Sequence, residues 1–322
     1  MYPTLFTIGN WSVPTYTVLL DLGLILGLVL AYFEGRRQLQ SGETGLDLGL
    51  WAIIGGVIGG RVAYVLANWS AFQEEPIRAI RLWEGGLSFH GGVLGGLLVL
   101  LLFALFRDRG LPSRRNSFWR LADILTPGLA LGIVFGWAAC LMGGCAYGAL
   151  GEGFGYAVLP DLFGVAAPRF ATQAVGLGFS LLLLAGIWLM RGHWPFRGAS
   201  FLMYALLYFA GQFFLEFTRG DEAIYLGAWR LAQIIDLAFV LAAAIGLLFL
   251  WWRSGGEELV AIEEPVAIEE PVEEEEPVEE EEPVAEEEPA EEEAPAEEDA
   301  PEEDGESDEG PVPGAAEVPL PA

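Results

Sequence analysis

Seven apolar runs dominate the first 253 residues, at roughly 15–34, 46–68, 89–106, 120–145, 172–190, 199–218 and 231–252. Each is long enough to cross about 30 Å of hydrocarbon as a helix. A chain in hydrocarbon must satisfy every backbone N–H and C=O internally, so a run of this length is read as a helix. The expected fold class is therefore an all-α polytopic membrane protein with seven transmembrane helices. The run at 120–145 is the weakest, because Asp123, Pro127 and several glycines interrupt it and leave its end near 140 open.

Charge divides the chain in two. Thirty of the 45 acidic residues fall in 254–322, which has no basic residue, so 1–253 holds 15 acids against 16 arginines and is nearly neutral. The tail repeats proline every six residues from Pro265 to Pro301 with glutamates between. Like charges repel and little apolar surface is available to bury, so 254–322 is expected to be a disordered, extended segment following a 1–253 membrane domain. Arginine placement sets orientation. Arg36, Arg37, Arg107, Arg109, Arg114, Arg115, Arg120, Arg191, Arg197 and Arg253 share one side; Arg78, Arg81, Arg169, Arg219 and Arg230 share the other. The first side is expected to be cytoplasmic, which puts the N-terminus outside and the acidic tail inside. The N-terminus has neither a basic region nor a small-residue cleavage site, so no removable signal peptide is expected.

Two of the runs carry matching GGxxGG patterns, at Gly55–Gly60 and Gly91–Gly96. Small residues at this spacing let helix backbones approach closely in a bilayer, so these two helices are expected to pack through their glycine faces. One of only two histidines, His90, stands at the mouth of the second pattern, where an imidazole can move a proton near neutral pH. Arg61 falls inside the first helix; it needs a carboxylate, phosphate or carbonyl partner, or snorkels to the interface. Glu216 and Arg219 are three residues apart and can pair on one helical face. Asp21, Asp123 and Asp236 are expected at middle or cytoplasmic depth as structural hydrogen-bonding groups. Segment 69–84 reads as a short interfacial helix. Cys140 and Cys145 are too few for a disulfide framework and read as small apolar residues rather than as a metal pair or a disulfide.

Threading the spans gathers Tyr16, Arg61, His90, residues 136–148 and residues 208–219 at one leaflet. Core polar groups placed at random would scatter over both. That clustering points to a site reached from the outer leaflet by an amphiphilic substrate. The glycine clusters lack the GK[ST] ending of a nucleotide loop, and no His/Cys spacing suggests zinc. No metal, cofactor or nucleic-acid partner is expected. A transporter is the weaker alternative, since no inverted repeat is visible.

The residues resemble the prolipoprotein diacylglyceryl transferase family over about 10–253. The resemblance rests on Pro14-Thr15-Tyr16, on Gly60-Arg61-Val62-Ala63-Tyr64, and on the string WEGGLSFHGG at 83–92. It continues through Pro168 to Gln173 and Glu216-Phe217-Thr218-Arg219. It implies transfer of a diacylglyceryl group from phosphatidylglycerol to the lipobox cysteine thiol of a prolipoprotein, at the outer face of the bacterial cytoplasmic membrane. It further implies His90, Tyr16 and Glu216 as catalytic residues. Arg61, Arg219, Tyr208, Gln212, Trp137 and Gly148 are the implied phospholipid-binding set. The chain departs from the family signature in the fourth helix. Trp137 stands in place of an arginine, Cys140 of an asparagine and Cys145 of a glutamate, and Gln212 replaces an arginine in the sixth. The alternative reading is a lipid- or lipoprotein-binding paralogue without catalysis.

Overall fold

The structure is a computed structural model that describes residues 4–9, 11–106 and 117–254. The acidic tail, and Arg107, Arg109, Arg114 and Arg115, lie outside the described residues. Seven helices are long and apolar enough to span a bilayer. They are α1 Thr15–Leu39, α2 Gly42–Ala67, α4 Phe89–Phe106, α5 Ser117–Gly143, α6 Thr172–Leu189, α7 Ala199–Leu215 and α8 Leu231–Ser254. The fourth run, doubtful in sequence, is one helix through Pro127 to Gly143. Segment 69–84 is helical only in short pieces: α3 Trp69–Phe72 and the 3-10 turns Pro76–Ile80 and Leu82–Glu84.

The bundle has two unlike ends. One carries three antiparallel hairpins that the apolar periodicity does not announce: β1 Thr4–Ile8 with β2 Trp11–Pro14, β3 Tyr156–Pro160 with β4 Ala166–Phe170, and β5 Tyr225–Leu226 with β6 Trp229–Arg230. The other is tied by polar contacts onto helix ends. Asp123, as expected, serves as a hydrogen-bonding group: its carboxylate accepts from the backbone N–H of Gly198 at 2.5 Å and of Phe201 at 2.9 Å, satisfying donors at the start of α7.

The expected glycine seam is present. A Cβ on Gly59 would lie 2.5 Å from the carbonyl oxygen of Gly91 and 2.7 Å from Cα of Gly95, so α2 and α4 touch backbone to backbone. A second seam joins α1 to α5, where a Cβ on Gly128 would lie 2.5 Å from the oxygen of Gly27. Lipid tails are as apolar as leucine, so association comes from this close packing rather than from water exclusion. Gly59→Ala should cost about 1–3 kcal/mol by overpacking. Gly132→Ala, where a Cβ meets nothing within 4 Å, should be neutral or slightly stabilising. Thermal unfolding in detergent measures both.

A core of Leu48, Leu100, Leu121, Ala122 and Ile124 fills the space between α2, α4 and α5. A second core, of Ala130, Ile187, Tyr204, Tyr208 and Phe209, fills that between α5, α6 and α7 and underlies the polar groups at the hairpin end.

Candidate active site

The loop from α2 to α4 is built around Arg61. The consecutive glycines Gly85 and Gly86 take φ of +79° and +84°, a conformation that side chains rarely adopt, and turn their carbonyls inward. All five guanidinium N–H groups are then spent on backbone oxygens. Nε donates to Ala79 at 2.8 Å, Nη1 to Gly86 at 3.0 Å and to Gly85, and Nη2 to Arg78 at 2.6 Å and Arg81 at 3.0 Å. Phe72 covers the guanidinium at 5.6 Å. Of the partners open to it, Arg61 takes carbonyls, all five from its own loop.

The same loop delivers His90 to the first turn of α4, held there by Ser88, whose N–H donates to the oxygen of Gly60 at 3.0 Å. The His90 Nε2 lies 2.8 Å from Oδ1 of Asp236 on α8. Asp236 is 1% exposed. It sits less than two turns into α8 from the hairpin end, not at the middle or cytoplasmic depth expected for it. The imidazole stacks at 6.4 Å on Phe209 and on Phe239, two rings that themselves stack at 4.3 Å. Phe89 lies between His90 and Tyr208, with ring centroids 5.5 and 5.9 Å away.

Two of the family-signature replacements meet at Tyr208. Its buried hydroxyl lies beside the side chains of both Trp137 and Gln212. The Nε2 of Gln212 is buried and lacks a partner among the described residues, as is Nε2 of Gln233 at the start of α8. A buried donor without an acceptor costs about 1–3 kcal/mol, which a ligand oxygen recovers.

Glu216 and Arg219 pair at 2.5 Å, as their spacing predicts. The other half of this knot carries no signal in the sequence. Arg230 reaches Glu216 at 2.9 Å and Asp221 at 3.2 Å, and Nε of Arg219 donates to Asp221 at 2.9 Å. Two guanidiniums thus neutralise two carboxylates. Burial pushes the Asp221 carboxyl up, but the hydrogen bond and charge of Arg219, with Arg230 beside it, outweigh burial and hold it below its ordinary value of 3.8. A carboxylate depressed in the folded state stabilises fully above its unfolded pKa and loses that contribution as pH falls through the folded one. Thermal stability is therefore expected to hold from pH 7 to about pH 4 and to fall below it. Asp221→Asn should flatten that acid limb, which melting curves against pH would test.

Cys140 and Cys145 form a disulfide, with Cα atoms 4.7 Å apart. This corrects their reading as small apolar residues. Gly144, at φ +75°, turns the chain back at the end of α5 and brings the two residues together, a bend that cysteine spacing alone does not reveal. The Tyr16 ring packs over the same turn, 3.2 Å from where a Cβ on Gly143 would lie. The oxygen of Cys145 accepts from Nε2 of the buried Gln173 at 3.0 Å. Gly148 plays a structural part. Its Cα faces the carbonyl of Phe170 with no room for a side chain, and its backbone bridges to Arg219. The ends of α5 and α7 and the start of α6 are thereby knitted together.

Asp236 lies within electrostatic reach of Glu216 and Arg219, and Tyr208 within reach of Asp236 and Arg219. His90, Asp236, Tyr208, Gln212, Glu216 and Arg219 thus form one constellation at the hairpin end. Arg61 stays in its own loop, and Tyr16 packs over the disulfide turn. The chain matches the family described as prolipoprotein diacylglyceryl transferase over residues 3–252. The chain belongs to that family. It is 33% identical to the phosphatidylglycerol–prolipoprotein diacylglyceryl transferase of Bacillus licheniformis, over 80% of this chain and 94% of that one. It is 30% identical to the enzyme of the same name from Halalkalibacterium halodurans, over 78% and 86%, and 29% identical to that of Trichormus variabilis, over 78% and 90%. The diacylglyceryl transferase resemblance seen in the WEGGLSFHGG string thus extends over the whole seven-helix domain, and the activity of the family is diacylglyceryl transfer in lipoprotein biosynthesis.

Proposed function

We propose that this chain transfers the diacylglyceryl group of phosphatidylglycerol to the lipobox cysteine thiol of a prolipoprotein, at the outer face of a bacterial cytoplasmic membrane. The observation that carries the reading is the 2.8 Å contact of His90 with the buried Asp236, set beside Tyr208, Gln212 and the Glu216–Arg219 pair. The imidazole takes the thiol proton, and Asp236 orients the ring and balances the charge that develops. The thiolate attacks the glycerol carbon, a thioether forms, and the C–O bond to phosphate breaks. Glycerol phosphate leaves with the electron pair. The unpartnered Nε2 of Gln212 and the guanidinium of Arg219 are the donors placed to meet the departing oxygens. Tyr208 stands beside the Gln212 amide, and Tyr16 packs over the disulfide turn.

Trp137 and Gln212 leave this site two fixed cations short of the family pattern, and Arg219 is already neutralised by Glu216 and Asp221. Phosphate entry therefore requires Arg219 to exchange a carboxylate for the substrate. A disulfide persists on an oxidising face, which supports placing the hairpin end outside and the tail in the cytoplasm. The test reconstitutes the full chain with phosphatidylglycerol and a lipobox peptide. Glycerol phosphate should appear only with peptide present, and the peptide should gain the mass of a diacylglyceryl group. Lipid binding with neither product would leave the binding-paralogue reading instead.

A further inference from the structure

The end of the bundle away from His90 holds a second cluster of charge that the transfer chemistry does not use. Glu34, on the last turns of α1, is 1% exposed. Its Oε2 accepts from Nε and Nη2 of Arg37 at 2.9 and 2.8 Å and from Gln38 at 3.0 Å. Its Oε1 pairs with Nε of Arg191, just beyond α6, at 2.6 Å. The Arg191 guanidinium lies 4.6 Å over the Trp188 ring. The Arg36 side chain makes no hydrogen bond or ion pair with any described residue. Beside these groups is a cavity of about 470 Å³ lined by Leu30, Phe33, Glu34, Arg36, Arg37, Trp188 and Arg191.

We propose that this cavity binds a phosphate-bearing anion, namely the phosphodiester headgroup of an acidic phospholipid in the leaflet opposite the proposed catalytic face. The charge decides the class of ligand: three guanidiniums face one carboxylate. Glu34 engages Arg191 through Nε and Arg37 through Nε and Nη2. The Nη groups of Arg191, Nη1 of Arg37 and the whole of Arg36 are left to meet phosphate oxygens, for which the guanidinium fork is shaped. The walls decide the source. Leu30, Phe33 and Trp188 are apolar, and Phe33 and Trp188 are exposed on the bundle surface near the ends of two spans. A free phosphate has no use for them, whereas a lipid lays its glycerol and upper chain against them. Basic pockets between spans recognise headgroups in this way. Glu34 serves as the anchor that holds two of the arginines in place.

Native mass spectrometry of the full chain in detergent tests this. Phosphatidylglycerol and phosphatidylcholine with the same acyl chains are the probes, and binding rather than turnover is the readout, so the result is independent of the transfer reading. Arg36→Gln breaks no contact within the described protein and should weaken one equivalent of phosphatidylglycerol by roughly tenfold, the loss of one charge-assisted hydrogen bond. Arg36→Gln with Arg191→Gln should abolish that equivalent, while phosphatidylcholine adducts and, for Arg36→Gln, transfer activity stay unchanged. Phosphatidylglycerol binding equal to the parent chain in Arg36→Gln would overturn the proposal. So would displacement of the lipid by excess inorganic phosphate, which would mark a pocket for a free anion.

Discussion

Arg61→Ala is expected to lower stability by about 3 kcal/mol, the upper end for hydrogen bonds to a charged group, and to open the loop between α2 and α4 to protease. The side chain ends in five donors, and five backbone oxygens of the loop from Arg78 to Gly86 converge on them. Truncation leaves those oxygens unpaired at the rim of the bundle, beside Gly85 and Gly86, whose φ above +75° is already demanding for any other residue. Nothing else described in the protein is placed to supply five donors there. Arg61→Lys should recover less than half of the loss, because an ammonium has three donors in a compact head and not a planar fork. Melting in detergent and limited proteolysis read the effect. The experiment also separates two roles. If Arg61→Ala melts with the parent chain yet loses affinity for phosphatidylglycerol, the residue is a lipid ligand and the staple assignment falls. Since the loop carries His90 into α4, the staple reading also predicts that lost activity in this variant follows lost structure.

The legible part of this protein is what the bilayer dictates. A span needs only length and apolarity, so all seven helices can be read from the chain, even α5, where Pro127 and glycines argue against continuity. The α2–α4 seam is equally visible, because two GGxxGG patterns name both partners. The α1–α5 seam is not, since Gly27 and Gly128 lie in less regular surroundings. What escapes the sequence lies where the chain turns. The strands of the three hairpins are two to five residues long, too short for a period of two to stand out. The disulfide depends on one left-handed glycine. Arg230, counted only as a charge outside the membrane, proves to be a buried member of the Glu216 knot. Asp236 was visible as a carboxylate in an apolar run, but its partner is 146 residues away in sequence, a distance over which one chain alone gives no pairing signal.

That pairing carries the largest expected effect on activity. His90→Ala should reduce diacylglyceryl transfer by about 10²–10⁴-fold, the usual worth of a positioned general base. The substitution should also cost about 1–3 kcal/mol of stability, although the rings His90 stacks on, Phe209 and Phe239, remain in contact with each other. It leaves Asp236, 1% exposed, without its hydrogen-bonding partner, so His90→Gln is the matched control that keeps a donor near the carboxylate without restoring a base. Asp236→Asn acts one step removed. An amide fits the same space and still hydrogen-bonds to the imidazole, but it no longer balances the positive charge that forms when the ring takes the thiol proton. Turnover should fall by about 10–100-fold, less than on losing the base itself, while the KM for phosphatidylglycerol stays near that of the parent chain. The split matters because a purely structural role for the pair would move stability or KM instead. Full transfer by a folded His90→Ala variant would remove the base from the mechanism and leave the imidazole as a helix-to-helix tie between α4 and α8.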